Sequence, residues 1–138
     1  MEQIMLKTGD STAVSIIVEQ GDLAAAFADF ENESYPEVLS TPAMLGLMER
    51  ACARLLEPLL KDGEMSVGAK VQLSHFSPSA MGSFVTAVAT FERQEGSLFW
   101  FRLRAYDGAG DVGKGEHARA IVRQSDIEEK ASLRRKAI

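Results

Sequence analysis

Cysteine is nearly absent from this sequence: Cys52 stands alone among 138 residues. No internal disulfide, redox pair or Cys/His metal cluster can be built from it, so the expected compartment is the cytoplasm and no metal is expected. Basic residues are also in short supply, 15 Lys and Arg against 20 Asp and Glu, which argues against nucleic-acid partners that need clustered cations. Long apolar runs are missing too. The longest stretch free of charged residues, Val71 to Phe91, contains His75, Pro78, Gly82 and several serines, so it does not read as a membrane span. The N-terminal MEQIMLKTGD has no apolar core behind basic residues, and no secretory leader is expected.

What is present suits one domain over residues 1–138, 46% of them hydrophobic, enough to bury a core without staples. Charge is uneven along it. Residues 1–98 hold 6 Lys and Arg against 14 Asp and Glu, and residues 99–138 hold 9 against 6, so a local anion site is expected in the C-terminal third.

The apolar, β-branched run Ala13 to Val18 reads as a strand, Asp22 to Phe30 as a short Ala-rich helical turn, and Glu31 to Leu39 as an acidic loop. Thr41-Pro42 then opens a helix, with a hydroxyl at the N-cap and proline just inside. Met44, Leu45, Met48, Ala51, Cys52, Leu55, Leu56 and Leu59 keep helical spacing until Lys61-Asp62-Gly63 stops the run. Met44 to Leu60 is the expected buried central helix. Next comes alternation: Met65, Val67, Ala69, Val71, Leu73 and His75 on one face of a strand, the intervening polar residues on the other. Phe84–Arg93, Leu98–Tyr106 and Val112–Val122 read as three more strands joined by hairpin turns, and Ser125–Lys136 as a terminal amphipathic helix. This order points to an α+β fold, one long helix packed on a curved antiparallel sheet.

Polar residues in apolar settings carry the chemical information. His75 ends the inward series of its strand, where an imidazole needs a partner. Glu49 borders the apolar helical stripe beside small Gly46 and Ala53. Thr41 satisfies a cap, and a helix N-terminus also suits a developing oxyanion. Thr41 and Glu49 are two helical turns apart, so a group acting between them comes from elsewhere in the chain, and His75 is the candidate.

The motifs Tyr35-Pro36-Glu37-Val38, Ser40-Thr41-Pro42, Met48-Glu49-Arg50-Ala51-Cys52, Ser66-Val67-Gly68, His75 and Gly115-Glu116-His117-Ala118-Arg119-Ala120 together resemble the fluoroacetyl-CoA thioesterase-like family of hotdog-fold proteins. The resemblance runs from about Tyr35 to Val122. It implies a hotdog fold, a homodimer with sites near its interface, and a Thr/Glu/His triad falling on Thr41, Glu49 and His75. It further implies a lid over about Phe30 to Leu39, in which Tyr35 would meet substrate, and backbone help near Gly68. The activity implied is hydrolysis of a small acyl-CoA thioester without a cofactor, coenzyme A being part of the substrate. The lid, Glu31-Asn32-Glu33-Ser34-Tyr35, is more polar than selectivity for a fluoroacetyl group would suggest.

Thioester hydrolysis needs an activated oxygen nucleophile, a polarised carbonyl and a stabilised thiolate. His75 is assigned as base and acid, Thr41 to nucleophile and oxyanion, and Glu49 to orienting His75, with a covalent acyl intermediate left open. Arg119, with Arg123 or Lys114, is assigned to the CoA phosphates, and His117 to a structural role. Two alternatives stand beside this reading: a non-catalytic acyl-CoA-binding module, and an enoyl-CoA hydratase-type enzyme.

Overall fold

The computed structural model describes residues 5–138; the first residues of the segment read for a leader lie outside that range. Strand β1 (Ser11–Ile17) is followed by helix α1 (Thr41–Leu56), then β2 (Glu64–His75), β3 (Phe84–Glu95), β4 (Leu98–Asp107), β5 (Gly110–Arg123) and helix α2 (Gln124–Lys136). The strands form one antiparallel sheet in the order β1-β3-β4-β5-β2. It curls around α1, giving the expected hotdog fold. Both expected hairpins form, and Asp107 tightens the second by accepting from the Ala109 N–H at 2.8 Å.

The sheet can close on the helix because its inner face is lined with small residues. Ala87, Ala89 and Ala105 are fully buried beneath Met44, Met48 and Leu56. At Gly113 a Cβ would sit 2.7 Å from Met44 Sδ and Cε, so glycine there lets the helix approach. Phe91 and Phe101 fill the wider end, their rings edge to face at 5.8 Å. No helix among the described residues is long and apolar enough to cross a membrane.

Several local expectations change. The Ala-rich turn is two short 3-10 turns, Gln20–Asp22 and Ala24–Phe27. The Ala24 and Ala25 N–H groups donate to Val38 O and Pro36 O, so that backbone is tied to the returning loop instead of propagating a helix. The central helix ends at Leu56, with one 3-10 turn, Glu57–Leu59, beyond it, because Pro58 has no N–H with which to continue. Helix α2 forms as expected but is not amphipathic: only Ile127 is half-buried and every other residue is exposed.

Two corrections bear on the site. The N-cap of α1 is Ser40, whose Oγ accepts from the Ala43 N–H at 3.1 Å, and Thr41 is the first helical residue. Strand β2 also changes phase, because its register against β5 shifts between Gly68 and Lys70. One extra residue moves side chains to the other face. Ser66 and Gly68 therefore share the inner face with Val71, Leu73 and His75, while Val67 looks the other way.

The cap assignment separates two neighbouring hydroxyls. Ser40→Ala should lower stability by about 1 kcal/mol, while Thr41→Ala should cost less than half as much. Urea unfolding of both variants checks this, and the opposite ranking would return the cap to Thr41.

Candidate active site

Thr41 and His75 meet because the first turn of α1 lies beside the last residue of β2. Thr41 Oγ1 is 2.8 Å from His75 Nδ1. With Ser40 supplying the cap, the Thr41 hydroxyl is free for this contact. His75 Nε2 is buried and has no partner among the described residues. Burial holds the imidazole pKa below the usual histidine value, against a weaker opposing pull from the Ser77 backbone. The ring is neutral at pH 7 and one nitrogen carries a lone pair. A cleft of about 250 Å³ lined by Val38, His75, Phe76, Ser77 and Pro78 opens beside it.

Glu49 belongs to a second cluster, along β2 at Gly68. Arg119 Nη1 donates to Glu49 Oε2 at 3.0 Å, and Arg119 Nε and Nη2 donate to Ser66 Oγ and Ser66 O, each at 2.9 Å. Its Nη1 also lies 3.1 Å from His117 Nε2, and His117 Nδ1 lies 2.8 Å from Lys70 O. These contacts fix the tautomer. A carbonyl can only accept, so Nδ1 carries the hydrogen and Nε2 accepts from the guanidinium. Burial, helped by the Arg119 charge, lowers the His117 pKa against opposing pulls from Lys70 O and Glu49. The 3.9 Å approach of His117 Nε2 to Glu49 Oε2 is therefore a contact of a neutral ring with a carboxylate.

A Cβ on Gly68 would stand 3.1 Å from both Glu49 Oε2 and His117 Cε1. Glycine keeps that approach open, and a cleft of about 280 Å³ runs past Glu49, Gly68, Val71 and His117. The side chain of Glu49 is 38% exposed, that of Arg119 8%. The carboxylate is thus held from behind and presented in front.

The expected triad is accordingly split. Thr41 and His75 meet, while Glu49 touches neither and pairs with Arg119. Arg119 does not face solvent as a phosphate ligand would: it is 7% exposed and its donors are engaged inside the chain. Tyr35 lies exposed on the loop before α1, where its hydroxyl donates to Glu33 Oε2 at 3.1 Å; it joins neither cluster. Lys114 lies across the sheet from the clusters, on the outer face. The outer face also carries a depression of about 600 Å³, but there Arg104 is paired with Asp111 and Arg102 with Glu92. Cys52 is buried and its thiol is pushed up to about 12, which keeps it protonated and inert. Sequence reasoning missed Ser66 and assigned His117 to structure alone. The alternate positions of His117 and Arg119 on β5, opposite glycine-bearing β2, were the available signal.

Comparison with known proteins agrees with this architecture. Residues 18–125 match the model of the family described as fluoroacetyl-CoA-specific thioesterase. The fluoroacetyl-CoA thioesterase of Streptantibioticus cattleyicolor is 38% identical over 92 residues, 67% of this chain and 66% of that protein; the match thus spans just under two thirds of the relative's length. A crystal structure of the fluoroacetyl-CoA thioesterase FlK superposes with a TM-score of 0.89 at 29% identity, covering 94% of this chain and 98% of the other. A Thermus thermophilus thioesterase-superfamily protein, 24% identical with a TM-score of 0.84 over 96% and 97% of the two chains, shares the fold.

The two lowered imidazoles set a pH dependence. A histidine with a depressed folded pKa is protonated more readily in the unfolded chain, so stability is full above about pH 6.5. It is lost as pH falls from there through the lowered folded value. Urea unfolding between pH 7.5 and 5 should show this decline, and His117→Gln, lacking a titrating ring, should show a shallower slope at lower absolute stability. An unchanged slope would assign the dependence to other groups.

Proposed function

The chain belongs to the fluoroacetyl-CoA-specific thioesterase family, and on that premise we propose that it hydrolyses a small acyl-CoA thioester to the free acid and coenzyme A. The observation that carries the reading is the Thr41–His75 contact at 2.8 Å with His75 Nε2 left unpartnered. In the tautomer with hydrogen on Nδ1, that nitrogen donates to Thr41 Oγ1 and leaves the Nε2 lone pair as base. The Thr41 hydroxyl hydrogen then points to the thioester oxygen. His75 takes a proton from water as the oxygen attacks the acyl carbon, and returns it to the departing CoA sulfur. Cleft volumes of about 250 and 280 Å³ favour a small acyl group. No cofactor enters this scheme.

Glu49 joins the site through a second copy of the chain. Strand β2 is an edge of the sheet, with Val71 49% exposed on its inner face, and such an edge calls for cover. Antiparallel pairing of two β2 strands about an axis at Gln72 sets Val71 opposite the partner's Leu73 and, across the bulge between Gly68 and Lys70, brings Gly68, and with it Glu49, to the partner's His75. The proposed enzyme is a cytoplasmic homodimer with two composite sites, in which Glu49 faces the reacting centre while Thr41 orients His75.

His75→Ala should lower kcat for acetyl-CoA by about 10²-fold or more, and Glu49→Gln should reduce turnover with little change in melting temperature. Mixing these two variants after reassortment should restore up to about a quarter of parental activity, because half of the mixed dimers' sites are intact. Two inactive variants that stay inactive on mixing would place the triad within one chain. Parental turnover in both would sink the thioesterase site itself.

A further inference from the structure

His75 is the last residue of β2 and Thr41 the first of α1, so their separation is set by how the flanking segments, 76–83 and 38–40, lie against each other. An antiparallel bridge between Val38 and Ala80 joins those segments, and in it the Leu39 N–H donates to Ser79 O at 2.8 Å. A closed circuit results. It runs from Thr41 to His75 through their side chains, along the chain to Ser79, across to Leu39 and back to Thr41. Leu39 is 1% exposed and Ser79 2%, so the far side of the circuit is packed inside the molecule, while His75 borders the cleft with Phe76, Ser77 and Pro78.

Ser79 anchors this circuit to the sheet. Its hydroxyl donates to Asp107 Oδ2 at 2.7 Å, while Asp107 Oδ1 accepts from the Ala109 N–H in the turn between β4 and β5. The carboxylate therefore divides its oxygens between its own hairpin and a loop distant in sequence. The Ser79 hydroxyl, and after it the Ala109 N–H, hold the Asp107 carboxyl below the usual range against a smaller opposing effect of burial. The acceptor is thus charged at neutral pH and the bond is charge-assisted. On the same hairpin, Val112 O accepts from the Phe76 and Ser77 N–H groups at 3.0 and 3.3 Å. One hairpin grips the loop on both sides of Pro78, which has no N–H of its own to offer. Neither Ser79 nor Asp107 lines the cleft. We propose that both are positioning residues for the reaction: the Asp107–Ser79 bond holds the loop after β2 against Leu39 and so sets the Thr41–His75 contact. The inference rests on the acyl-CoA reading above, in which that contact serves the chemistry, and a misplacement of about 1 Å there can cost about 10²-fold in rate.

Ser79→Ala deletes the bond without adding bulk, and Asp107→Ala deletes its acceptor. Each should lower kcat for acetyl-CoA about tenfold or more with KM nearly unchanged, because the bond acts on the reacting pair and not on binding. The double variant should lose no more than Asp107→Ala alone, since the two changes remove one shared bond. Ser79→Thr keeps the hydroxyl and should recover most of kcat. Ser15→Ala serves as the control: it deletes the 2.8 Å hydroxyl contact of Ser15 with Thr86, far from the cleft, and should lower melting temperature with kcat at the parental value. Heteronuclear NMR of the His75 ring nitrogens reads the contact without turnover. In Ser79→Ala those signals should move toward the ones seen in Thr41→Ala, and in Ser15→Ala they should stay in place. A folded Ser79→Ala variant with parental kcat and parental His75 signals would overturn the proposal, whatever its loss of stability. If the parent hydrolyses no acyl-CoA, the thioesterase reading fails, and the His75 signals still decide whether Ser79 sets the contact.

Discussion

Burying the Arg119 guanidinium is the constraint around which this site is arranged. A guanidinium cannot be taken out of water unless its donors are satisfied, and here β5 supplies the arginine, α1 the carboxylate, and β2 both a hydroxyl and a carbonyl. Three elements are thereby fixed against one another. Removing one member of a fully buried pair costs about 3–5 kcal/mol; the cost here is smaller, since Glu49 remains 38% exposed. That exposure has a use. One carboxylate oxygen is clamped by Arg119 while the side chain still faces the cleft.

Much of this was legible in the sequence, and what was not has physical causes. The apolar spacing of Met44, Met48 and Leu55 is strong enough to reveal the helix, and the turns around Gly96 and Gly108 reveal the hairpins. Thr41 and His75 could be singled out as polar groups at the ends of apolar patterns. The cap could not be assigned, because Ser40 and Thr41 are both good capping residues and only backbone geometry decides between them. Nor could the β2 phase. Strict alternation across Ala69 was consistent with a regular strand, whereas the bulge is fixed by pairing with β5, which is tertiary information. Because of that bulge Gly68 turns inward beneath Glu49. The role of Arg119 was misread for a related reason, since charge counting treats an arginine as a surface group, and burial depends on partners from distant elements.

The chain places the Thr41–His75 pair and the Glu49 carboxylate on helix and strand, with the loop before α1 as a separate piece. That loop is tied at its base by Ala24 to Val38 and Ala25 to Pro36, and at its tip the Asp29 N–H donates to Glu33 Oε1 at 2.5 Å. Between these ties Phe27, Phe30 and Tyr35 are 53%, 76% and 47% exposed. Side chains on helix and strand ends are held by the core, so the loop can vary without moving Thr41 or His75.

The same division leaves Glu49 apart from Thr41 and His75 within one chain. His75 and Gly68 lie seven positions apart on β2, so Thr41–His75 and Glu49–Arg119 occupy opposite ends of one exposed edge. An edge strand that carries complementary halves of a site at its two ends is suited to antiparallel self-pairing, since a two-fold axis between them completes both sites with one set of backbone bonds. On the proposed pairing, edge protection and catalysis impose the same requirement on β2. Gly68 keeps the inner face of the strand open beneath Glu49, and beyond the bulge its register against β5 is regular from Lys70 to His75.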